Sequence, residues 1–378
     1  MHKIIILGAG RVGHVIAREL NDEEGIEVTV ADRRADLLDA VAKKLKCETV
    51  ISDLGDGKAI RDLVEGYDLV VGALPGALGL QTLEAIIEAS KNCVDISFMP
   101  EDPTVLSERA AAAGSTVLYD FGVAPGMSNL LAAASCKEAE PTRQIRILVG
   151  GLPVVRRQPW EYTAPFSPAD VMEEYIRPAR IKVGGNETQR EALSGVEEIE
   201  FPELGTLEAF YTDGLRSLID TIDCPSMEEK TLRYPGYAKR ISLLRDSGFL
   251  GTEPIQVNGC DVVPRDFTLK LLEPAWHMDE TMDEFTVMRV TVTGGDHAPY
   301  KRIQWDVLDR TNRDRRETSM ARTTGFPAAI AAAEMVRGNL QIDPGVHPPE
   351  DLAHDSAFID LLLAKLKERG VIYRKTVS

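Results

Sequence analysis

The chain has 378 residues, of which 44% are hydrophobic, and a formal net charge of −17 at pH 7. That length suffices for two domains and a sizeable core. No apolar run approaches the ~20 residues of a membrane span, and the negative charge argues against nucleic acid as a partner. The N-terminus lacks a signal-peptide pattern, so the expectation is a soluble cytoplasmic protein. Cys47, Cys93, Cys136, Cys224 and Cys260 are scattered without a C-x-x-C, and the six histidines show no ligand spacing. Neither a disulfide framework nor a metal site is expected.

Ile4 to Leu7 forms an uncharged apolar run, as in a buried parallel strand. It enters Gly8-x-Gly10-x-x-Gly13 directly, and Val12, Val15, Ile16 and Leu20 then repeat at helical spacing. Strand, glycine turn and helix in this order are the dinucleotide fingerprint, with Gly8 for the turn, Gly10 for approach of a pyrophosphate and Gly13 for close packing. His14 lies inside that helix as a packing or solvated residue. A second strand, Ile26 to Ala31, ends at Asp32, where the fingerprint expects an acid on the adenosine ribose. Asp32 favours NAD over NADP. Arg33 and Arg34 follow, and leave a 2′-phosphate contact or an adenine stack open.

Further on, Val50-Ile51 leads to Asp53 and a helix over 59–64. Strands at 68–73, 93–97 and 116–120 alternate with helices at about 80–90 and 106–113. This βαβ repetition predicts a Rossmann doubly wound parallel sheet. In such a sheet ligands lie beyond the carboxyl ends of the strands. Asp32, Asp53, Leu74-Pro75, Ser97 and Asp120 all occupy such ends. All but Asp120, with the fingerprint glycines and their neighbours Arg11 and Val12, and with Arg33, Leu54, Ala73 and Ile96, make up the expected cofactor surface.

The pattern changes after Gly122-Val-Ala-Pro-Gly126. An apolar helix over 130–135 is followed mainly by strands and loops: 145–150, 208–211, 285–293 and 303–308. Residues 286–292 alternate as a half-exposed antiparallel strand does. The expectation is an α+β domain with a mostly antiparallel sheet. Gly150-Gly-Leu-Pro153 is expected to follow a strand, and Thr231-Leu-Arg-Tyr-Pro-Gly-Tyr237 to sit in a loop. Near the end, 323–335 is an Ala-rich, apolar stretch and reads as a tightly packed helix. A last helix covers about 355–369.

Several strings identify the chain as a member of the saccharopine dehydrogenase-like family. They are Asp120-Phe-Gly-Val-Ala-Pro-Gly-Met127, Val149-Gly-Gly-Leu-Pro153, Glu161-Tyr162 with Phe166-Ser167, Asn258-Gly-Cys-Asp-Val-Val-Pro-Arg-Asp266, Met320-Ala-Arg-Thr-Thr324 and Gly345-Val-His-Pro-Pro-Glu350. Within the family the chain most resembles the lysine 6-dehydrogenases. The resemblance implies NAD-dependent oxidative deamination of the ε-amino group of L-lysine. A dehydrogenase of a secondary amine, saccharopine or carboxynorspermidine, is the alternative, and a nucleotide-binding regulatory protein without turnover is a reading from another class. The resemblance also implies a homo-oligomer, a dimer or larger. It brings Arg233 to a substrate carboxylate with Tyr234 alongside, and lines the pocket with Tyr162 and Phe166. Thr212 and Asp213 join the expected substrate site, although the acid at 213 departs from the lysine enzymes, where a small hydroxyl residue is expected. Arg216 could meet a second carboxylate. Asp120 is the candidate for binding the amine or taking its proton, with a structural strand-end acid as the other reading. The expected domains are residues 1–124 with 318–378, and an inserted 125–317.

Overall fold

The computed structural model describes every residue except 280. The described residues fall into two compact units, one of Met1–Ala134 with Ala321–Ile372, the other of Ser135–Met320 with Tyr373–Ser378.

The first unit opens with β1 (His2–Leu7), α1 (Arg11–Asn21), β2 (Ile26–Asp32), α2 (Ala35–Leu45), β3 (Glu48–Ile51), α3 (Gly57–Val64), β4 (Leu69–Gly72), α4 (Gly79–Glu88), β5 (Asn92–Asp95), α5 (Ser107–Ala113), β6 (Thr116–Leu118) and α6 (Met127–Glu138). Ile4 to Leu7 are fully buried, because helices cover both faces of a parallel sheet. No element was expected over 35–45. α2 stands there and buries only a narrow stripe, Leu38 and Val41.

In the second unit the chain continues through β7 (Thr142–Pro153), α7 (Pro168–Glu173), β8 (Ala179–Val183), β9 (Asn186–Arg190), β10 (Glu197–Phe201), β11 (Gly205–Tyr211), α8 (Leu218–Thr221), β12 (Ser226–Arg233), α9 (Tyr237–Asp246), β13 (Ile255–Val257), β14 (Cys260–Val262), α10 (Pro264–Trp276), β15 (Glu284–Gly294) and β16 (Arg302–Arg310). Then come α11 (Ser319–Val336), β17 (Gly345–His347), α12 (Ser356–Glu368) and β18 (Tyr373–Val377).

The described residues form three sheets. The first runs β17-β6-β5-β4-β1-β2-β3, with every pair parallel. The second runs β10-β11-β12-β7-β15-β16-β18, with β8 and β9 attached at β12. Only its β12–β7 pair is parallel, so it is mostly antiparallel. A β13–β14 hairpin stands apart. The architecture is therefore a Rossmann doubly wound parallel sheet plus an α+β unit, the fold class expected.

Several local expectations change. Gly150 to Pro153 lie inside β7, and Thr231 to Arg233 end strand β12 rather than occupying a loop. The strand at 286–292 is half-exposed only from Arg289 onward. Before that the start of α11 covers its outer face, where the Thr286 amide donates to Ser319 Oγ at 3.0 Å and the Met320 amide to Glu284 Oε1 at 2.8 Å.

The seams of the two units also differ from the expected bounds. They fall inside α6 and at the start of α11, and β18 pairs with β16 of the second sheet instead of staying with the nucleotide unit. Val307 on β16 stands opposite Tyr373, so the last strand extends a ladder already formed. The small residues of α11 let it approach α1 closely: a Cβ on Gly325 would lie 3.3 Å from side chains of Val15 and Ile16. Arg369 pairs with Glu19 of α1, and Arg337 with Glu23 at 2.8 Å.

Candidate functional site

In the first unit the expected residues gather along one edge, beyond the carboxyl ends of the parallel strands. Leu7 ends β1, and Gly8 follows with φ +115, a conformation costly for any side chain. A Cβ there would stand 2.4 Å from the Ala73 carbonyl oxygen, and one on Gly13 only 2.0 Å from that of Gly8. These two glycines let the turn after β1 nest against the end of β4 and against the first turn of α1. Gly10 is different. It precedes the helix as its exposed N-cap, and a Cβ on it would meet nothing within 4 Å. That space faces the first-turn amides and positive dipole end of an eleven-residue helix. Arg11 is exposed and Val12 half-buried in the same turn.

Asp32 ends the neighbouring strand. Its Oδ2 accepts from the Ala9 amide at 2.8 Å and its Oδ1 from the Arg34 amide at 2.9 Å. The carboxylate thus fixes the glycine turn and remains half-exposed. Arg34 grips Asp36 through two contacts, at 3.1 and 2.6 Å. Arg33 is exposed. Asp53 is exposed and accepts from the Gly55 amide at 3.0 Å, while Leu54 beside it is buried. Ala73 and Leu74 are half-buried and Pro75 is exposed as the chain leaves β4. Ile96 is half-buried after β5. Ser97 is buried and donates through its amide, at 2.8 Å, and its hydroxyl, at 3.1 Å, to Asp95.

Asp95 is the acid that sequence reading passed over. It is fully buried, and burial raises its carboxyl to about 7, with the nearby Asp120 adding to the shift. Asp120, after β6, is buried at φ +54. The open ground before Gly10, the helix end behind it and the acid at the end of β2 fit a dinucleotide, with the glycine turn at the pyrophosphate and Asp32 at the ribose.

In the second unit the site is built from side chains of distant segments. Arg233 ends β12 and is 4% exposed. Its Nη1 donates to the Leu232 carbonyl at 3.0 Å, and its Nη2 to Glu174 Oε2 and Tyr175 Oη, each at 3.2 Å. The guanidinium lies over the Tyr162 ring at 4.6 Å and near Tyr237 at 5.7 Å. Tyr162 in turn meets Trp276 edge-on at 5.4 Å, and Phe166 is half-buried against the same cluster. Arg233 Nε and Tyr162 Oη are buried with no hydrogen-bond partner among the described residues.

Tyr234 does not stand beside Arg233. Its hydroxyl donates to the Pro153 carbonyl at 2.9 Å, its ring lies under Arg156 at 4.5 Å, and it belongs to a separate apolar cluster. Successive residues of an extended chain point to opposite faces, which separates the pair. Thr212 donates to Glu229 Oε2 at 2.6 Å and is 2.8 Å from Thr231 Oγ1. Asp213 is held by Arg180 through contacts of 3.0 and 3.3 Å. Arg216 is buried at φ +53 and already partnered. Burial raises the Glu229 carboxyl to about 8 against the Thr212 hydrogen bond, and raises Glu174 against the attraction of Arg233. Sequence reading missed Glu174, Tyr175, Glu229 and Arg180. Glu174 follows a six-residue helix, and no spacing links it to position 233.

Among the described residues no group of three or more His, Cys, Asp or Glu is arranged to hold a metal, and no helix is long and apolar enough to cross a membrane.

The glycine entry, the acidic strand end and the parallel sheet define a nucleotide-binding Rossmann protein with an attached α+β unit. Residues 4–118 match the saccharopine dehydrogenase NADP binding domain and 122–371 the saccharopine dehydrogenase C-terminal domain, so the chain belongs to the saccharopine dehydrogenase family. It is 23% identical, over 98% of both chains, to saccharopine dehydrogenase [NADP(+), L-glutamate-forming] of Saccharomyces cerevisiae. It is 25% identical to the mitochondrial alpha-aminoadipic semialdehyde synthase of Mus musculus over 66% of this chain but only 29% of that protein. The chain thus spans under a third of the length of that relative. The apo saccharopine dehydrogenase (L-Glu forming) structure from Saccharomyces cerevisiae superposes with a TM-score of 0.81 at 18% identity, covering 100% of both chains, a likeness of fold.

Proposed function

We propose that this protein oxidises the C–N bond of an amino acid, and that the reaction is NAD-dependent deamination at the ε-carbon of L-lysine. The observation that carries the reading is Arg233. It is a buried guanidinium whose Nε lacks a hydrogen-bond partner, set among buried aromatic residues of a chain that also has a dinucleotide fold. A planar guanidinium matches an α-carboxylate by paired hydrogen bonds.

When bound, the oxidised nicotinamide accepts hydride from the carbon bearing the amine. Before that step the ε-ammonium must lose a proton. Asp120, at the carboxyl end of β6, is the acid we assign to bind the amine or take that proton. Water then adds to the substrate imine, ammonia leaves, and the aldehyde can cyclise onto the α-amine. Arg233 holds the substrate α-carboxylate. Asp32 favours NAD by meeting a 2′-phosphate with like charge. We take the enzyme to act as a cytoplasmic homodimer.

A second reading, NADP-linked oxidation of a secondary amine such as saccharopine or carboxynorspermidine, draws on the names of the relatives and on the exposed Arg33 beside Asp32. The test is reduced-cofactor formation with NAD and NADP against lysine, ornithine, saccharopine and carboxynorspermidine. Turnover of saccharopine with lysine inert would replace the first reading by the second.

A further inference from the structure

We infer that Glu174 is the residue that recognises the α-ammonium group of the substrate, so that the Arg233–Glu174 pair forms a receptor for an amino-acid zwitterion. The inference rests on the proposal that this pocket binds an amino acid. The two side chains differ in access. The Glu174 side chain is 16% exposed and that of Arg233 only 5%. They meet at a single contact, Nη2 to Oε2 at 3.2 Å, and not as a two-point fork. A buried pair stabilises best when its remaining lone pairs and protons are also satisfied. Here they are not. Arg233 Nε and Tyr162 Oη, each at least nine-tenths buried, lack any hydrogen-bond partner among the described residues.

Both groups can donate, Nε from the guanidinium itself and Oη from the Tyr162 ring that the guanidinium lies over at 4.6 Å. The carboxylate of Glu174 is acceptor-only on the other side of the pair. A ligand that satisfies both sides carries a carboxylate and, one carbon away, an ammonium. An α-amino acid has that spacing. A simple diamine or a simple carboxylic acid does not. The surrounding Tyr162, Tyr175, Tyr237 and Trp276 keep the local dielectric low, which strengthens both contacts once they form.

The experiment is calorimetric binding of L-lysine, 6-aminohexanoate (no α-amine) and cadaverine (no α-carboxylate) to the full chain, wild type and Glu174→Gln. A charge-assisted contact of this kind corresponds to about 10–100-fold in affinity. The wild type should bind lysine at least about tenfold more tightly than 6-aminohexanoate, and Glu174→Gln should bring the two within about twofold, with 6-aminohexanoate itself little changed. Glu174→Asp, which keeps the charge, should restore part of the preference. The wild-type comparison needs no variant, and thermal melting of each variant reports folding. Equal wild-type affinity for lysine and 6-aminohexanoate, or a preference that survives Glu174→Gln, overturns the role of Glu174 while leaving the amino-acid pocket standing. Failure of the wild type to bind any of the three overturns the pocket reading and the zwitterion receptor together.

Discussion

The two units build their candidate sites in opposite ways. In the nucleotide unit the site is made of backbone: a turn closed by Gly8 and Gly13, a helix end behind Gly10, and one carboxylate, Asp32, that anchors the turn through the Ala9 amide. In the α+β unit it is made of side chains. Tyr162, Glu174 and Arg233 come from three different segments and meet only in the folded unit, with Glu229 on the same strand as Arg233 bound to Thr212. A backbone site tolerates side-chain change except where there is no room for a Cβ. A side-chain site depends on every partner, because each removal leaves a buried polar group exposed to its neighbours' charge.

The largest effect that sharpens this contrast lies at Gly13. With a Cβ 2.0 Å from the Gly8 carbonyl oxygen, Gly13→Ala should cost about 3 kcal/mol or more, at the upper end of overpacking penalties. Gly10→Ala has open space and should leave the melting temperature near that of wild type, while weakening nucleotide affinity about tenfold. Thermal melts and NADH fluorescence titrations separate the two. If both glycines behave alike, the turn is not the cradle described.

Arg233 comes next. Because it ends a strand and is buried against Glu174, Arg233→Ala should destabilise the fold by about 3–5 kcal/mol, besides any loss of activity. Arg233→Lys keeps the charge and is the cleaner probe. It should lower kcat/KM for lysine by about one to two decades, from about 1.5–3 kcal/mol of lost contact. Cadaverine, lacking the carboxylate, should be a poor substrate whose turnover falls little further in the variant. Equal losses for lysine and cadaverine would show that the arginine serves folding alone.

Each unit also carries a buried acid whose carboxyl is raised to about 7 or 8, and the two together predict a pH dependence. Asp95 and Glu229 are raised to about 7 and about 8 from unfolded values near 3.8 and 4.5, in both cases chiefly by burial. A raised carboxyl binds its proton more tightly in the native state. Its stabilising contribution is complete below the unfolded value and is lost as pH rises through the folded one. The melting temperature should therefore fall between about pH 4.5 and pH 8, by about 2–4 °C for each kcal/mol in a unit of this size. Glu229→Gln should flatten the part of that decline above pH 7. A decline of wild-type steepness in Glu229→Gln would mean that this acid ionises freely in the fold.

The smallest effect concerns cofactor choice. Asp32→Ala should reduce the NAD preference about tenfold in relative kcat/KM, whereas Arg33→Ala, at an exposed position, should change the ratio by less than about fivefold. A larger effect at Arg33 than at Asp32 would give the choice to the arginine and support NADP.

Much of the nucleotide unit could be read directly from the chain. Strands β1 and β4 contain uncharged apolar runs, and several expected ligand positions follow a strand end within a few residues, as Leu74 follows β4 and Ser97 follows β5, whereas β17 (Gly345–His347) carries no such run and was not expected. Local patterns sufficed because a parallel sheet places all its carboxyl ends on one edge. Even so, α2 was missed, since only Leu38 and Val41 mark its buried stripe. Asp95 was missed because nothing local distinguishes a buried strand acid from an exposed one.

In the α+β unit the sequence on its own determined the presence of a mostly antiparallel sheet and singled out Arg233, Tyr162 and Phe166 through their motifs. Tertiary structure alone decided the rest. It put Arg233 on a strand end and turned Tyr234 to the opposite face. It gave Asp213 to Arg180 and set Glu174 against Arg233 across 59 residues of chain. It also carried β18 into the second sheet. A motif read along the chain records which residues are near one another in sequence. Which face a strand residue presents, and which distant charge meets it there, depends on pairing register and on packing against elements far away in the chain.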